Sequence, residues 1–306
     1  MDVAIGLPGL PDLERPERLP EWAHAAEAHG FSSLGVIDRI VFDNYEPLIA
    51  LAAAAAVTTR IGLITTILIS PYRTNTALLA KELATIDRLS DGRLTVGVGI
   101  GAREDDYTAS GLAPRRRARH LEEQVHELRA IWRGEVRGHS GRIGPPPVAQ
   151  NGPPLIIAGH VPAALRRAAR LGDGWMMGGG SPDEFTAMAA EVRAEWTALG
   201  RDGRPRLVAL AYFALGDDAA SAVTAFTERY YNFPPDAGDQ ALIDAADVET
   251  LAQVIALGAA TTTDGVRALL VEWGEAGCDE LVLLPCASDP GQVPLLAEAI
   301  GLLPRS

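Results

Sequence analysis

Residues 60–104 read RIGLITTILISPYRTNTALLAKELATIDRLSDGRLTVGVGIGARE. A β-branched run, IGLITTI, is followed by a proline-bearing loop. An amphipathic stretch with apolar residues at helical spacing comes next, then Ser-Asp-Gly, then the apolar run LTVGV and a glycine-rich loop. This predicts strand, loop, helix, tight turn, strand and loop, a complete βαβ unit. Parallel strands joined in this way place their carboxyl-end loops on one side of the sheet, where such proteins bind ligands. The unit therefore directs attention to residues 65–70 and 99–104.

The same grammar extends in both directions. Eight short β-branched or apolar runs predict strands at 3–7, 34–37, 61–67, 94–98, 155–158, 174–177, 207–214 and 280–284. Helical patterns lie between them, at 16–29, 47–58, 77–89, 119–132, 162–171, 182–199 and 219–231, with further helices over 248–257, 263–275 and 291–302. Gly30, Gly172 and Gly277 each stand just past a helix, where glycine accepts the left-handed conformation that ends it. Repeated strand–helix alternation with near-continuously apolar strands predicts an α/β protein, a closed (β/α)8 TIM barrel in preference to an open sheet. One domain over 1–306 is expected. Two stretches rich in glycine and proline, 134–154 and 232–247, read as insertions at the barrel mouth, that is, at its C-terminal face; tolerated surface insertions are the other reading of each.

Bulk composition bounds the partners. Of 306 residues, 47% are apolar and 22% charged, the profile of a globular protein with a large core. A net charge of −13 argues against nucleic acid or an anionic membrane as partner. The longest apolar run, 48–57, falls well short of the roughly 20 residues of a membrane span and reads as a buried alanine-rich helix. The chain opens on MDVAIGLPG without a basic or apolar leader, and its two cysteines, Cys278 and Cys286, form no disulfide framework or zinc spacing. A cytoplasmic location is expected.

Several segments together resemble the luciferase-like flavin oxidoreductase family. They are EAHGFSSLGVIDR (27–39), EPLIALAAAAAVTTRIGL (46–63), LLAKELATIDRLSDGRLTVGVGIGARED (78–105), RRRARHLEEQVHELRAIWRG (115–134) and PLIIAGHVPAALRRAARLGDGW (154–175), in the family's order and spacing. The match weakens beyond residue 175 and returns at GCDELVLLP (277–285). The resemblance implies a barrel whose mouth holds a flavin-type ring: FMN in one branch, the deazaflavin F420 in another. It implies a small-molecule substrate, a reductase supplying reduced FMN or F420 as a partner, and a homodimer as a common assembly. Among its activities are hydride transfer with F420, FMN-dependent two-component monooxygenation, and a barrel that binds flavin without turnover. F420-dependent hydride transfer is preferred here, because the chain is short for the two-component monooxygenases and its alanine and arginine content suits a high-GC genome.

Candidate site residues follow, each with an alternative reading. Asp38 and Arg39 close the second strand and are the catalytic candidates. By resemblance Asp38 lies beside the cofactor ring; otherwise it is a helix-start acid or half of a surface pair. The F420-dependent sugar-phosphate dehydrogenases carry a histidine where this chain has Arg39, and a glutamate where it has Ala102, so the resemblance argues against that activity. The family often has a cis peptide in the third strand, which maps between Thr66 and Ile67; otherwise this is an ordinary strand end. Gly99, Ile100 and Gly101 would let the backbone approach a ring. The polar stretch 102–106 reads as loop, and a dinucleotide fingerprint requires a helix there, so that reading is rejected. Gly159, His160 and Val161 precede Pro162 at a helix start that could receive a cofactor phosphate. Gly178, Gly179, Gly180 and Ser181 form a second such start; Ser181 either donates to phosphate or only caps the helix. His160 contacts the ligand or faces solvent. The basic run 115–119 reads as a solvated helix start, or as a lure for an anionic cofactor tail. Cys286 and four tryptophans (22, 132, 175 and 273) read as packing residues, and Tyr72 and Tyr107 as mouth residues within reach of substrate. No metal site is expected.

Overall fold

A computed structural model describes residues 1–136, 139–233, 240, 243–244 and 246–302. Nine strands form one parallel sheet that closes on itself: β1 (Asp2–Gly6), β2 (Ser33–Val36), β3 (Gly62–Thr65), β4 (Leu68–Ile69), β5 (Leu94–Gly99), β6 (Leu155–Ala158), β7 (Gly174–Met177), β8 (Arg206–Phe213) and β9 (Glu280–Pro285). Their order is β3-β2-β1-β9-β8-β7-β6-β5-β4, and β3 also pairs with β5 through Leu63↔Leu94 and Ile64↔Thr95. β4 continues along β5 through Leu68↔Val98. β3 and β4 are thus one barrel strand interrupted at residues 66–67, and the eight predicted strands are all present in a (β/α)8 barrel.

Side chains alternate as a closed sheet requires. Ala4, Ile64, Ile156, Met176, Val208 and Val282 fill the interior. Leu63, Trp175 and Leu281 point outward, in one layer with Trp22, Phe185 and Trp273 from the surrounding helices. The four tryptophans read as packing residues are all buried.

The helices are α1 (Arg18–His29), α2 (Pro47–Val57), α3 (Thr76–Leu89), α4 (Glu104–Ala109), α5 (Arg117–Trp132), α6 (Pro162–Leu171), α7 (Pro182–Ala198), α8 (Ala219–Tyr230), α9 (Leu251–Leu257), α10 (Thr263–Glu275) and α11 (Gln292–Ile300). Local chemistry sets their ends. Asn75 accepts from the Leu78 N–H to start α3, and Thr250 and Gln253 form a capping box on α9. Gly30 and Gly277 take φ of 84° and 81°, as expected. Gly172 does not: its backbone is extended, at φ −87°. It is glycine because a Cβ there would lie 2.8 Å from the Gly174 carbonyl oxygen and 3.0 Å from that of Ala168. Close helix–strand approach, not a left-handed cap, requires it.

The two insertions differ in placement. The segment 134–154 joins α5 to β6, and helix-to-strand connections of a barrel lie at its amino-end face, so the expected excursion over the mouth is corrected. It wraps α3 instead: Lys81 Nζ donates to the Gly144 carbonyl at 2.7 Å, and Arg88 donates to the carbonyls of Pro146 and Pro147. The mouth insertion lies between β8 and α10. The chain leaves the barrel at Ala214 and returns at Ala260, where Ala214 N–H donates to the Ala260 carbonyl and Ala260 N–H to that of Tyr212. α8 and α9 belong to this excursion. Phe226 of α8 reaches the barrel rim, where a Cβ on Gly9 would meet both Ile37 and Phe226. Residues 234–239, 241–242 and 245 of the expected 232–247 excursion lie outside the described residues.

Candidate active site

The third barrel strand organises the mouth. Thr65 Oγ1 donates to the Gly97 carbonyl at 2.7 Å, and the Thr66-Ile67 peptide is cis, as the resemblance implied. Beyond it, Ile67 lies between two glycine loops. A Cβ at Gly99 would stand 3.0 Å from Ile67 Cγ2, and one at Gly178 would stand 3.2 Å from Ile67 Cδ1. A Cβ at Gly179 would meet nothing within 4 Å. Ile67 and these glycines therefore form a low floor on the β5–β7 side of the mouth. Ile100 and Gly101 continue it, half-buried, with Tyr107 Oη donating to the Ile100 carbonyl at 2.6 Å.

Asp38 is buried at the carboxyl end of the second barrel strand and accepts from the Ile69 N–H at 2.8 Å and from Arg73 Nη2 at 3.2 Å. It anchors the segment that follows the cis peptide. Arg73 also pairs with Glu46 at 2.8 Å. Burial pushes the Asp38 carboxyl above its usual range, against the opposing effects of Arg73, the Tyr72 hydroxyl and the Ile69 amide. Tyr72 is buried beside it, and burial together with the Asp38 charge raises its phenol strongly. Tyr72 and Tyr107 meet edge to face, ring centroids 5.9 Å apart, so both are packed residues behind the rim.

Arg39 is buried as well. Its Nε donates to Asp106 Oδ2 at 2.6 Å and its Nη2 to Asp105 Oδ2 at 3.1 Å. Asp106 Oδ1 accepts from the N–H groups of Ile40 and Val41 at 2.9 and 2.8 Å. Both acids sit on α4, a short helix where loop was expected. Its first turn holds Glu104, Asp105 and Asp106, which suits a helix N-terminus and opposes phosphate there, so the rejection of a dinucleotide fingerprint stands on charge rather than on absence of a helix. Asp106 and Arg73 were missed by sequence reading. Their partners lie 67 and 35 positions away, and no local spacing announces them.

The two helix starts on the opposite rim are unequal. At α6, Pro162 occupies the first turn and Val161 offers no side-chain cap. Gly159 has φ +147°, and His160 Nε2 lies 3.1 Å from the Gly179 carbonyl, joining the loops after β6 and β7. At α7, Ser181 and Glu184 form a reciprocal capping box, with Glu184 Oε2 accepting from the Ser181 N–H at 2.8 Å. The Ser181 hydroxyl is thus engaged in capping, and a carboxylate already occupies that helix start.

An aromatic wall packs in the same cluster as Ile67. Tyr212 from β8 meets Tyr231 through their hydroxyls at 2.9 Å. Tyr230 packs on Phe42 and Phe226, with centroids 5.2 and 5.5 Å apart. Arg103 lies 4.3 Å from the Tyr230 ring centroid and 4.5 Å from that of Phe233, and donates Nη2 to the Tyr230 carbonyl at 2.7 Å. Cys286 packs against the same wall, and burial pushes its thiol up to about 12, as befits a packing residue. Among the described residues no cluster of His, Cys, Asp or Glu is arranged to hold a metal ion. No helix among them is long and apolar enough to cross a membrane.

A closed parallel barrel with its ligand floor at the strand carboxyl ends defines a TIM-barrel protein with a candidate site in the usual place for that fold. The luciferase-like monooxygenase family model matches residues 3–287, and the chain belongs to that family of oxidoreductases. An uncharacterized protein of Mycobacterium tuberculosis is 35% identical over an alignment of 270 residues that covers 76% of this chain and 92% of that one. The F420-dependent glucose-6-phosphate dehydrogenase of Mycobacterium avium is 31% identical over 200 residues, 60% of each chain. An F420-dependent secondary alcohol dehydrogenase, solved with an F420-acetone adduct, superposes with a TM-score of 0.76 at 20% identity over 99% of both chains. A monooxygenase from Streptomyces bottropensis gives 0.73 at 22% identity over 98% of both. At these identities the solved structures speak for the fold.

Proposed function

We propose that this chain is an F420-dependent oxidoreductase acting on a small organic substrate. The observation that carries the reading is the floor formed by Ile67 between Gly99 and Gly178, where any larger residue at either glycine would press on Ile67. Such a surface suits a planar ring system. Two hydroxyls on the adjoining loop, Thr66 Oγ1 and Ser70 Oγ, are buried without a partner among the described residues, as suits a loop that meets a polar ligand. When bound, the deazaflavin supplies hydride exchange with a carbon of the substrate.

The chain's own residues would divide the work as follows. Thr66, Ile67, Gly99, Ile100 and Gly101 would hold the ring. Gly159, His160, Val161, Gly178 and Gly179 would hold the anionic tail, at the uncapped start of α6 rather than at α7, where Glu184 opposes it. Gly180 and Ser181 shape the second loop through its turn and cap. Asp38 and Arg73 fix the segment carrying Ile67, so Asp38 acts by positioning. The Arg39–Asp106 pair fixes the neighbouring loop. The mouth insertion excludes water. A homodimer and a separate enzyme that regenerates the cofactor belong to the same reading.

The relative described as an F420-dependent glucose-6-phosphate dehydrogenase supports deazaflavin over flavin. A second reading, an FMN-dependent two-component monooxygenase, draws on the family's description and on the monooxygenase that shares the fold. Anaerobic incubation of the F420-loaded protein with a panel of alcohols, followed by visible absorbance, tests the first. Bleaching of the oxidised deazaflavin by an alcohol supports it. Dioxygen uptake with reduced FMN, and no bleaching with any alcohol, supports the second.

A further inference from the structure

The basic run that opens α5 stands out in a chain of net charge −13. Arg115, Arg116 and Arg119 are exposed, and Arg117 is half-buried. α5 begins with no side-chain cap and no acid in its first turn, and so does α6. The two starts stand level. Glu122 lies five residues past the start of α5, Arg167 lies five past the start of α6, and Arg167 Nε donates to Glu122 Oε1 at 3.0 Å. Parallel helices that meet at equal depth put their first turns side by side, about 8–10 Å apart. Both helices run back from the mouth, so their unpaired N–H groups and positive dipole ends face its rim.

The acids around these starts are already engaged. Glu122 is held by Arg167 and Arg170, and Glu123 by Arg119 at 2.8 Å. Asp105 and Asp106 are held by Arg39, which leaves Glu104 as the one uncommitted acid of α4 among the described residues. Arg115, Arg116, Arg117 and Arg166 have no carboxylate partner among the described residues. Arg166 is exposed on α6, one turn nearer its start than Arg170. Arg117 Nη1 is buried without a partner, and its guanidinium lies 5.9 Å from the Tyr107 ring centroid. Tyr107 in turn donates to the Ile100 carbonyl of the floor, so the surplus positive charge adjoins the floor. On the other flank of α6 the sign reverses, because α7 opens with Asp183 and Glu184. A polyanion leaving the α6 start is turned toward α5 and away from α7.

F420 carries glutamates beyond the phosphodiester of its tail, whereas FMN ends at its phosphate. We propose that Arg115, Arg116, Arg117 and Arg166 form a subsite for these tail carboxylates, beside the phosphate position at α6, so that affinity grows with the glutamate chain. This subsite rests on the F420 reading above and deepens it.

Fluorescence titration of the full chain with two deazaflavins tests it, one with the phosphodiester but no glutamate and one with two glutamates. The second is expected to bind about three- to tenfold more tightly, the scale of two exposed ion pairs, and added salt is expected to erase the gain. The double variant Arg115→Gln with Arg116→Asn is expected to bring the two affinities together and to leave that of the glutamate-free form unchanged. Asparagine suits position 116, where φ is +63°. Arg166→Gln, on the other helix, is expected to lower the gain about twofold, and it covers failure of the double variant to fold. Arg60→Gln, the same charge change at an exposed arginine before β3, is expected to move neither affinity. Equal binding of the two deazaflavins by wild type overturns the subsite. So does a gain that neither the double variant nor Arg166→Gln lowers, or a loss that Arg60→Gln matches. Failure to bind either deazaflavin removes the functional assignment together with the subsite, whereas equal binding of both removes the subsite alone.

Discussion

Arg39 and Asp106, 67 positions apart in the chain, meet at 2.6 Å with both side chains buried. The pair ties the loop after the second barrel strand to α4. Asp105 and Asp106 engage Nη2 and Nε of the guanidinium, which favours a structural role for a position expected to be catalytic.

Removing one member leaves the other buried and uncompensated. Asp106→Ala is expected to cost about 3–5 kcal/mol, read from the urea midpoint. The double variant Arg39→Met with Asp106→Leu is expected to recover part of that loss, since apolar replacement of a buried pair is often close to neutral. It is also expected to keep its F420 affinity. A double variant that is fully folded yet has lost turnover would return Arg39 to the chemistry.

The glycines of the fifth strand separate stability from binding. At Gly97 a Cβ would stand 2.3 Å from the Thr65 carbonyl oxygen, which is backbone and cannot yield. Gly97→Ala is expected to lose several kcal/mol, about the scale of severe overpacking. At Gly99 the contact is 3.0 Å to the Ile67 Cγ2 methyl, a side-chain atom that needs to give by only a few tenths of an ångström. Gly99→Ala is expected to fold, with stability lower by only about 1–2 kcal/mol, and to weaken F420 about tenfold or more by raising the floor. Thermal unfolding and fluorescence titration of the two variants check the contrast; equal F420 affinity in wild type and Gly99→Ala would remove Gly99 from the site.

Glu280 lies at the opposite end of the barrel. It is buried, accepts from Ser32 and Ser33 hydroxyls at 2.6 and 2.8 Å, and pairs with Arg206 at 2.7 Å. Residues at a barrel's amino-end face serve stability rather than catalysis. Glu280→Ala is expected to destabilise by about 3 kcal/mol or more while turnover per folded molecule is unchanged. A folded variant with lower turnover would contradict the assignment.

Glu27 gives the stability a pH dependence. Partial burial pushes its carboxyl up, but N–H groups of Ile61, Arg60 and Thr59 overcome this and hold it at about 2, below the usual 4.5. A carboxyl with a depressed folded-state pKa binds fewer protons folded than unfolded, so its contribution is complete above 4.5 and disappears as the pH falls through about 2. Glu27→Gln is expected to flatten the melting-temperature profile in that window. The loss at neutral pH should be about 1 kcal/mol, well under what the full shift implies, because the carboxylate is largely solvated. A variant whose profile overlays that of wild type from pH 2 to 5, about the window set by these values, would contradict this.

The barrel was legible in the sequence because its signals are local. Strands 155–158 and 174–177 carry short apolar runs, and Ser181 marks a helix start by side-chain chemistry. The cis peptide at Thr66 came from family resemblance, not from the residues alone. What local reading missed depends on distant partners. α4 was hidden because its first turn is three acids, which read equally as loop. Asp38 and Arg39 looked free because Arg73 and Asp106 are far away in sequence. The segment 134–154 has the composition of a mouth loop, but its position after a helix rather than after a strand decides its face. Gly172 shows the same limit: the residue was identified correctly, and the reason lay in packing.

The central claim is that the Ile67 floor receives a deazaflavin. Parallel fluorescence titrations of the purified protein with F420 and with FMN test it most directly. The account predicts saturable F420 binding in the micromolar range or tighter, weakened by Gly99→Ala, with FMN binding weaker. Saturable FMN binding without F420 binding, or binding of neither, would contradict it.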